Sequence, residues 1–116
     1  MHFKGKYIIY ESYGKGKEYN LYDRLIFEGE YLNGERNGKG KEYYDNVKLL
    51  FEGEYLNGKR NGKGKEYDDG KLIFEGEYLN GKRNGKGKEY NDGKLVFEGE
   101  YLNGKRKRKR DRKRFG

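Results

Sequence analysis

One block of sequence recurs along nearly the whole chain, and it decides what the chain can fold into. Residues 51–73 read FEGEYLNGKRNGKGKEYDDGKLI, and residues 74–96 read FEGEYLNGKRNGKGKEYNDGKLV. The two copies differ only at Asp68 against Asn91 and at Ile73 against Val96. Residues 27–50 carry a copy one residue longer, with the extra residue in YYDNVK at 43–48. Residues 3–26 carry a looser copy, and 97–106 carry a short one, FEGEYLNGKR. The anchor residues Phe3, Phe27, Phe51, Phe74 and Phe97 are spaced 24, 24, 23 and 23 apart. A unit this small cannot bury an apolar face alone. Stacked neighbours must supply the missing contacts, so a repeat array is expected in place of a globule.

Composition agrees with an array. The chain has 116 residues, of which 31% are hydrophobic and 41% charged, too polar for a deep single core. The 13 Tyr, 6 Phe and absent Pro argue against a disordered chain. With no Cys there is no disulfide framework and no thiolate zinc site. No apolar run reaches the roughly 18 residues of a spanning helix. The opening MHFKGKYIIYESYGKGK lacks a secretory apolar core. Of the 28 basic and 20 acidic residues, nine basic and one acidic fall in KRKRKRDRKR at 105–114. The body is therefore a neutral polyampholyte, and the net charge of +8 belongs to the tail. The expected organisation is an array over 1–106 and a polybasic tail over 107–116 without fixed structure.

Within a unit the period is that of a strand. Leu72, Phe74, Gly76 and Tyr78 alternate with Ile73, Glu75 and Glu77. Asn80-Gly81 and Asp92-Gly93 are turn signals. Each repeat reads as a hairpin, and the chain as an all-β, elongated, single-sheet antiparallel meander of about nine strands. Charge predicts the register. Across the first turn Glu75 faces Lys88, Glu77 faces Lys86, Gly76 faces Gly87 and Tyr78 faces Gly85. A one-residue slip would set Glu beside Gly. Keeping Lys88 opposite Glu98 and Lys86 opposite Glu100 across the second turn predicts a bulged turn, a three-residue loop of Asp92, Gly93 and Lys94 with Gly93 at positive φ.

The units resemble MORN (membrane occupation and recognition nexus) repeats, whose pattern is close to Y-x-G-x-W-x-x-G-K-x-x-G-x-G. Phe51, Gly53, Tyr55, Gly58, Lys59, Gly62 and Gly64 meet it, as do Phe74, Gly76, Tyr78, Gly81, Lys82, Gly85 and Gly87. Tyr stands where the family usually has Trp, and the family's common Pro before the second turn is missing. The resemblance implies a hairpin array used as a scaffold or interaction module, with dimerisation and phospholipid binding as further family roles. In the family's enzymes another domain does the catalysis.

The residues themselves hold little chemistry. His2 is the only His and Ser12 the only Ser, so a nucleophilic triad is not expected. NGKGKEY lacks the spacing and hydroxyl of a phosphate loop. No enzyme activity, metal, cofactor or small-molecule substrate is expected. Two surfaces are candidates for binding. An aromatic groove of Phe51, Tyr55, Phe74, Tyr78, Phe97 and Tyr101 would face a protein partner or a second copy. A ladder of Lys59, Arg60, Lys63, Lys65, Lys82, Arg83, Lys86 and Lys88 would face anions, opposite an acidic rim of Asp68, Asp69 and Asp92. The tail residues Lys105, Arg106, Lys107, Arg108, Lys109, Arg110, Arg112, Lys113 and Arg114 would add attachment to an anionic membrane surface or to nucleic acid. The expected role is a non-enzymatic scaffold or protein-interaction module. The alternatives are a peripheral phospholipid-binding module and a nucleic-acid-binding or nuclear-targeted protein. The expected location is intracellular and cytoplasmic, with membrane, cytoskeletal or nuclear association as variants.

Overall fold

The computed structural model describes residues 7–11 and 13–108. His2, Phe3, Ser12, Lys109, Arg110, Arg112, Lys113 and Arg114 lie outside the described residues. Ten strands form one antiparallel sheet in chain order: β1 (Tyr7–Tyr10), β2 (Lys15–Tyr19), β3 (Leu25–Leu32), β4 (Glu35–Tyr44), β5 (Lys48–Leu56), β6 (Lys59–Asp68), β7 (Lys71–Leu79), β8 (Lys82–Asn91), β9 (Lys94–Leu102) and β10 (Lys105–Arg106). The all-β meander is as expected, with one strand more than counted from sequence. Its extents are 61 × 32 × 26 Å.

In the repeats that start at Phe51 and Phe74 both turns are two-residue hairpins. Asn80 and Gly81 have φ of 49° and 91°, and Asp92 and Gly93 have 50° and 81°. Positive φ at both central residues gives the turn whose twist matches the strands, which is why Asn-Gly and Asp-Gly recur here. The 24-residue unit spends its extra residue in the loop Asp45, Asn46 and Val47 between the paired Tyr44 and Lys48.

Register follows charge in the middle of each strand and departs from it near the turns. Glu75 pairs Lys88 and Gly76 pairs Gly87, as expected. Tyr78 then pairs Arg83, not Gly85. A bulge on β8 absorbs two extra residues, and Glu77 faces Lys63 of the preceding strand instead of Lys86. The Glu77 carboxylate turns into this bulge and accepts the Lys86 backbone N–H at 2.8 Å. Gly85 has φ of 103°, and a Cβ there would lie 2.1 Å from Glu77 Oε1. Across the second turn, Lys86–Glu100 and Lys88–Glu98 pair as expected, but by a different device. The loop is Asp92-Gly93 alone, closed by Asn91 and Lys94, and Val96 is the extra residue, inside β9. Gly93 is at positive φ as predicted; the bulge lies three residues further along the strand.

The loose first copy folds differently from the rest. Its turn is Tyr13-Gly14, and β1 pairs Tyr10 with Gly16 and Ile9 with Lys17. Tyr10 thus takes the position that a glycine holds in the other repeats. The β1–β2 hairpin is shorter because the sequence between its turn and Gly16 lacks the Lys-Arg-Asn that opens β6 and β8.

Candidate functional site

The sheet has two unlike faces, and the core lies on only one of them. Phe27, Phe51 and Phe74 are fully buried, with Tyr31, Tyr55, Tyr78 and Tyr101 packed between them. Phe74 meets Tyr78 of its own repeat at 5.7 Å and Tyr101 of the next at 5.1 Å, both edge-on. The same pair of contacts recurs at Phe27 and Phe51. These rings fit because the strands are glycine where the rings lie. A Cβ at Gly87 would sit 2.6 Å from the Phe74 ring.

An arginine closes the face over each ring. The Arg83 guanidinium stands 4.1 Å above the Phe74 centroid and donates to both Glu66 oxygens, at 2.9 Å each. The Tyr78 hydroxyl donates to the same carboxylate. Arg36, Arg60 and Arg106 repeat this over Phe27, Phe51 and Phe97, holding Glu18, Glu42 and Glu89. Burial alone would raise the pKa of Glu42 and Glu66, but the hydrogen bonds from Arg and Tyr and the nearby guanidinium charges outweigh it, and both are lowered. The Arg106 hydrogen bond brings Glu89 down to about 2. Burial first, then the bond to Glu89, pushes Tyr101 up to about 12.

This arrangement corrects two expectations. Phe51, Tyr55, Phe74, Tyr78 and Tyr101 are buried core, and Phe97 is partly buried, so they do not form an open aromatic groove. Arg60, Arg83 and Arg106 are spent on internal carboxylates and rings, so they are not rungs of an anion ladder. Lys59, Lys82 and Lys105 are exposed at the turn rim. The acidic rim is also neutralised from within: Lys48 meets Asp69 at 2.9 Å, and Lys71 meets Asp92 at 3.0 Å. Of the tail, Lys107 approaches Glu100 at 3.9 Å, and Arg108 is exposed.

The open face carries a groove of about 1330 Å³ that reaches from β2 to β9. Its floor is a row of backbone at Gly16, Gly29, Gly40, Gly53, Gly64, Gly76, Gly87 and Gly99. On one side of that floor, pairing places Lys17, Glu28, Lys41, Glu52, Lys65, Glu75, Lys88 and Glu98 next to one another in turn. On the other side stand Lys15, Glu30, Lys39, Glu54, Lys63, Glu77, Lys86 and Glu100. Lys63, Lys65, Lys86 and Lys88 therefore belong to a groove of alternating sign and not to a basic rim. Six of these glutamates are held by neutral donors. Tyr43, Tyr67 and Tyr90 donate to Glu28, Glu52 and Glu75 at 2.5 Å each. Glu30, Glu54 and Glu77 accept bulge N–H groups. Among the described residues, Lys39, Lys41, Lys63, Lys65, Lys86 and Lys88 make no ion pair within 4 Å, so fixed carboxylates stand beside ammonium groups without a fixed partner. Sequence reasoning placed these charges on one face but missed the groove. The signal was present: with rings lying over the glycines, the other side of each glycine is bare backbone.

The MORN repeat family model matches residues 27–46, 51–71, 74–94 and 97–108. No curated protein sequence matches the chain.

Proposed function

The chain belongs to the MORN repeat family, and from that premise we propose that it is a protein-interaction scaffold whose working surface is the charged groove. MORN repeats are non-catalytic units of repeat proteins that serve protein or membrane interaction. The observation that favours protein is the balance of the groove, nine Glu against eight Lys along a glycine floor. An anionic bilayer is attracted by an excess of positive charge, about 1 kcal/mol for each Lys or Arg at the surface. A surface of alternating sign offers no such excess. It suits a polypeptide segment that carries both signs and lies along the floor, where wrong partners meet like charges. The basic run at 105–114 adds a separate, sequence-nonspecific hold on anions.

The two surfaces separate experimentally. Lys41→Glu with Lys65→Glu breaks the alternation, and removal of residues 109–116 takes away most of the tail. Proteins cross-linked to the chain in cells should be lost with the first change and retained with the second. Binding to phosphatidylserine vesicles should show the reverse pattern, with circular dichroism confirming that both variants are folded. Retention of the partners by the groove variant overturns the reading. So does vesicle binding that survives without the tail and disappears with the groove substitutions.

A further inference from the structure

The two ends of the sheet are unlike, and each lacks what the other has. In the interior, β8 has two parts joined at its bulge. Lys82 and Arg83 pair with Leu79 and Tyr78; Lys88 and Gly87 pair with Glu75 and Gly76. At the carboxyl end, β10 has the first part only. Lys105 pairs Leu102, Arg106 pairs Tyr101, and the Lys107 N–H donates to the Glu100 carbonyl at 2.7 Å. Beyond it the sequence places Arg108 and Arg110 where β8 has Gly85 and Gly87. A Cβ at Gly87 would strike the Phe74 ring, so the position that Arg110 holds in the repeat pattern is one that admits no side chain in the interior. At the amino end, β2 has the second part only. Gly14, Lys15, Gly16, Lys17, Glu18 and Tyr19 match Gly85–Tyr90, with no Lys-Arg-Asn before them.

The aromatic stack shows the same vacancy at both ends. Phe27, Phe51 and Phe74 each receive a tyrosine from the next repeat at 5.1 Å. Phe97 receives none among the described residues and is only partly buried. At the other end, Tyr31 meets no phenylalanine of a preceding repeat among the described residues and packs on Tyr10 of β1 at 5.5 Å. Among the described residues, the outer edge of β9 from Lys94 to Gly99 pairs with nothing.

We propose that copies of this chain join head to tail, with β2 of one copy completing the strand that β10 of another begins. In that register Glu98 lies opposite Lys17 of the next copy, Gly99 opposite Gly16 and Phe97 opposite Glu18, as Glu75, Gly76 and Phe74 lie opposite Lys88, Gly87 and Glu89. Tyr31 of the next copy then covers Phe97 as Tyr101 covers Phe74. A second copy is the occupant because its charges, its glycine and its tyrosine each match a vacancy. A tail-to-tail pairing of two β9 edges about Gly99 would instead set Glu98 against Glu100, a like-charge pair. The interface is heterologous, so addition continues in a line and does not close. In the single chain β1 stands in for the missing edge and must move aside. It is a poor substitute: Ile8, Ile9 and Tyr10 remain 36%, 52% and 56% exposed.

The absence of native cysteine makes the test direct. One full-length chain carries Lys17→Cys, another Glu98→Cys. Cα atoms of directly opposed antiparallel residues lie about 4.5–5.5 Å apart, within disulfide reach. Mild oxidation of the equimolar mixture should give a disulfide-linked heterodimer well in excess of the two homodimers combined, which random pairing would only equal. Ile9→Pro in the Lys17→Cys chain removes a ladder N–H from β1 and should raise the heterodimer yield. Phe97→Ser in the Glu98→Cys chain should lower it. Folded chains that give no heterodimer, or no more than the two homodimers combined, overturn the proposal. A yield unmoved by Ile9→Pro overturns the displacement of β1.

Discussion

Glu66 takes three donors, two from Arg83 and one from Tyr78, while Glu75 on the open face takes one, from Tyr90. The two carboxylates are nine residues apart in one hairpin, and their substitution should cost very different amounts. Glu66→Gln removes the charge that holds Arg83 over Phe74 and should destabilise the chain by about 1.5–3 kcal/mol, the range of hydrogen bonds to charged groups. Glu75→Gln keeps an acceptor for the Tyr90 hydroxyl and should cost under about 1 kcal/mol, the lower part of the range for one hydrogen bond. Urea unfolding of the two variants measures the difference. The same carboxylates set a pH dependence. Glu42, Glu66 and Glu89 are lowered in the folded chain, so the stability they give is present above the ordinary carboxylate value of 4.5 and is lost as pH falls, down to about 2 for Glu89. Tyr43, Tyr67 and Tyr101 are raised to about 12, so their share is complete below 10 and is lost as pH rises from there. The melting temperature should therefore form a plateau between these limits and fall on both sides; a decline beginning near neutrality would contradict it.

The hairpin is the element that the sequence made most legible. Alternation, the Asn-Gly and Asp-Gly signals, and the facing of Glu75 with Lys88 are local facts about strands. A bulge at the second turn was legible though misplaced, but the bulge on β8 was not, because a pairing rule sees only side chain against side chain. Glu77 satisfies a backbone N–H, and no charge rule foresees that. The aromatic groove was misread for a related reason. Arg83 was counted among the turn cations, although the repeats already distinguished it from its neighbour. Glu35, Lys59 and Lys82 change sign at one position, while Arg36, Arg60, Arg83 and Arg106 never vary. A position indifferent to sign faces water, and an unvarying one has a fixed partner. At this scale the junctions between repeats are interchangeable: β5 meets β6 with the same pairs as β7 meets β8. Deletion of residues 74–96 should thus leave a folded array one repeat shorter, with a strand spectrum by circular dichroism and a smaller denaturant m-value. Collapse to random coil would show that the repeats are not equivalent.

Across the whole molecule, cohesion is greatest in the middle. Phe27, Phe51 and Phe74 are sealed on both sides by rings and arginines, whereas Phe97 is sealed on one and β1 covers its end incompletely. Amide exchange should be slowest in β5 to β8 and fastest in β1 and β10, in keeping with local opening from the termini of an array. Uniform protection from end to end would argue that the sheet opens only as a unit. The glycine floor has a further consequence. The two charged rows stand two residues apart on every strand, as Glu75 and Glu77 or Lys86 and Lys88 do, so the strand rise holds them about 6.6 Å apart all along the sheet. A guest therefore meets a track of constant gauge, and adding or removing repeats changes only how far that track runs.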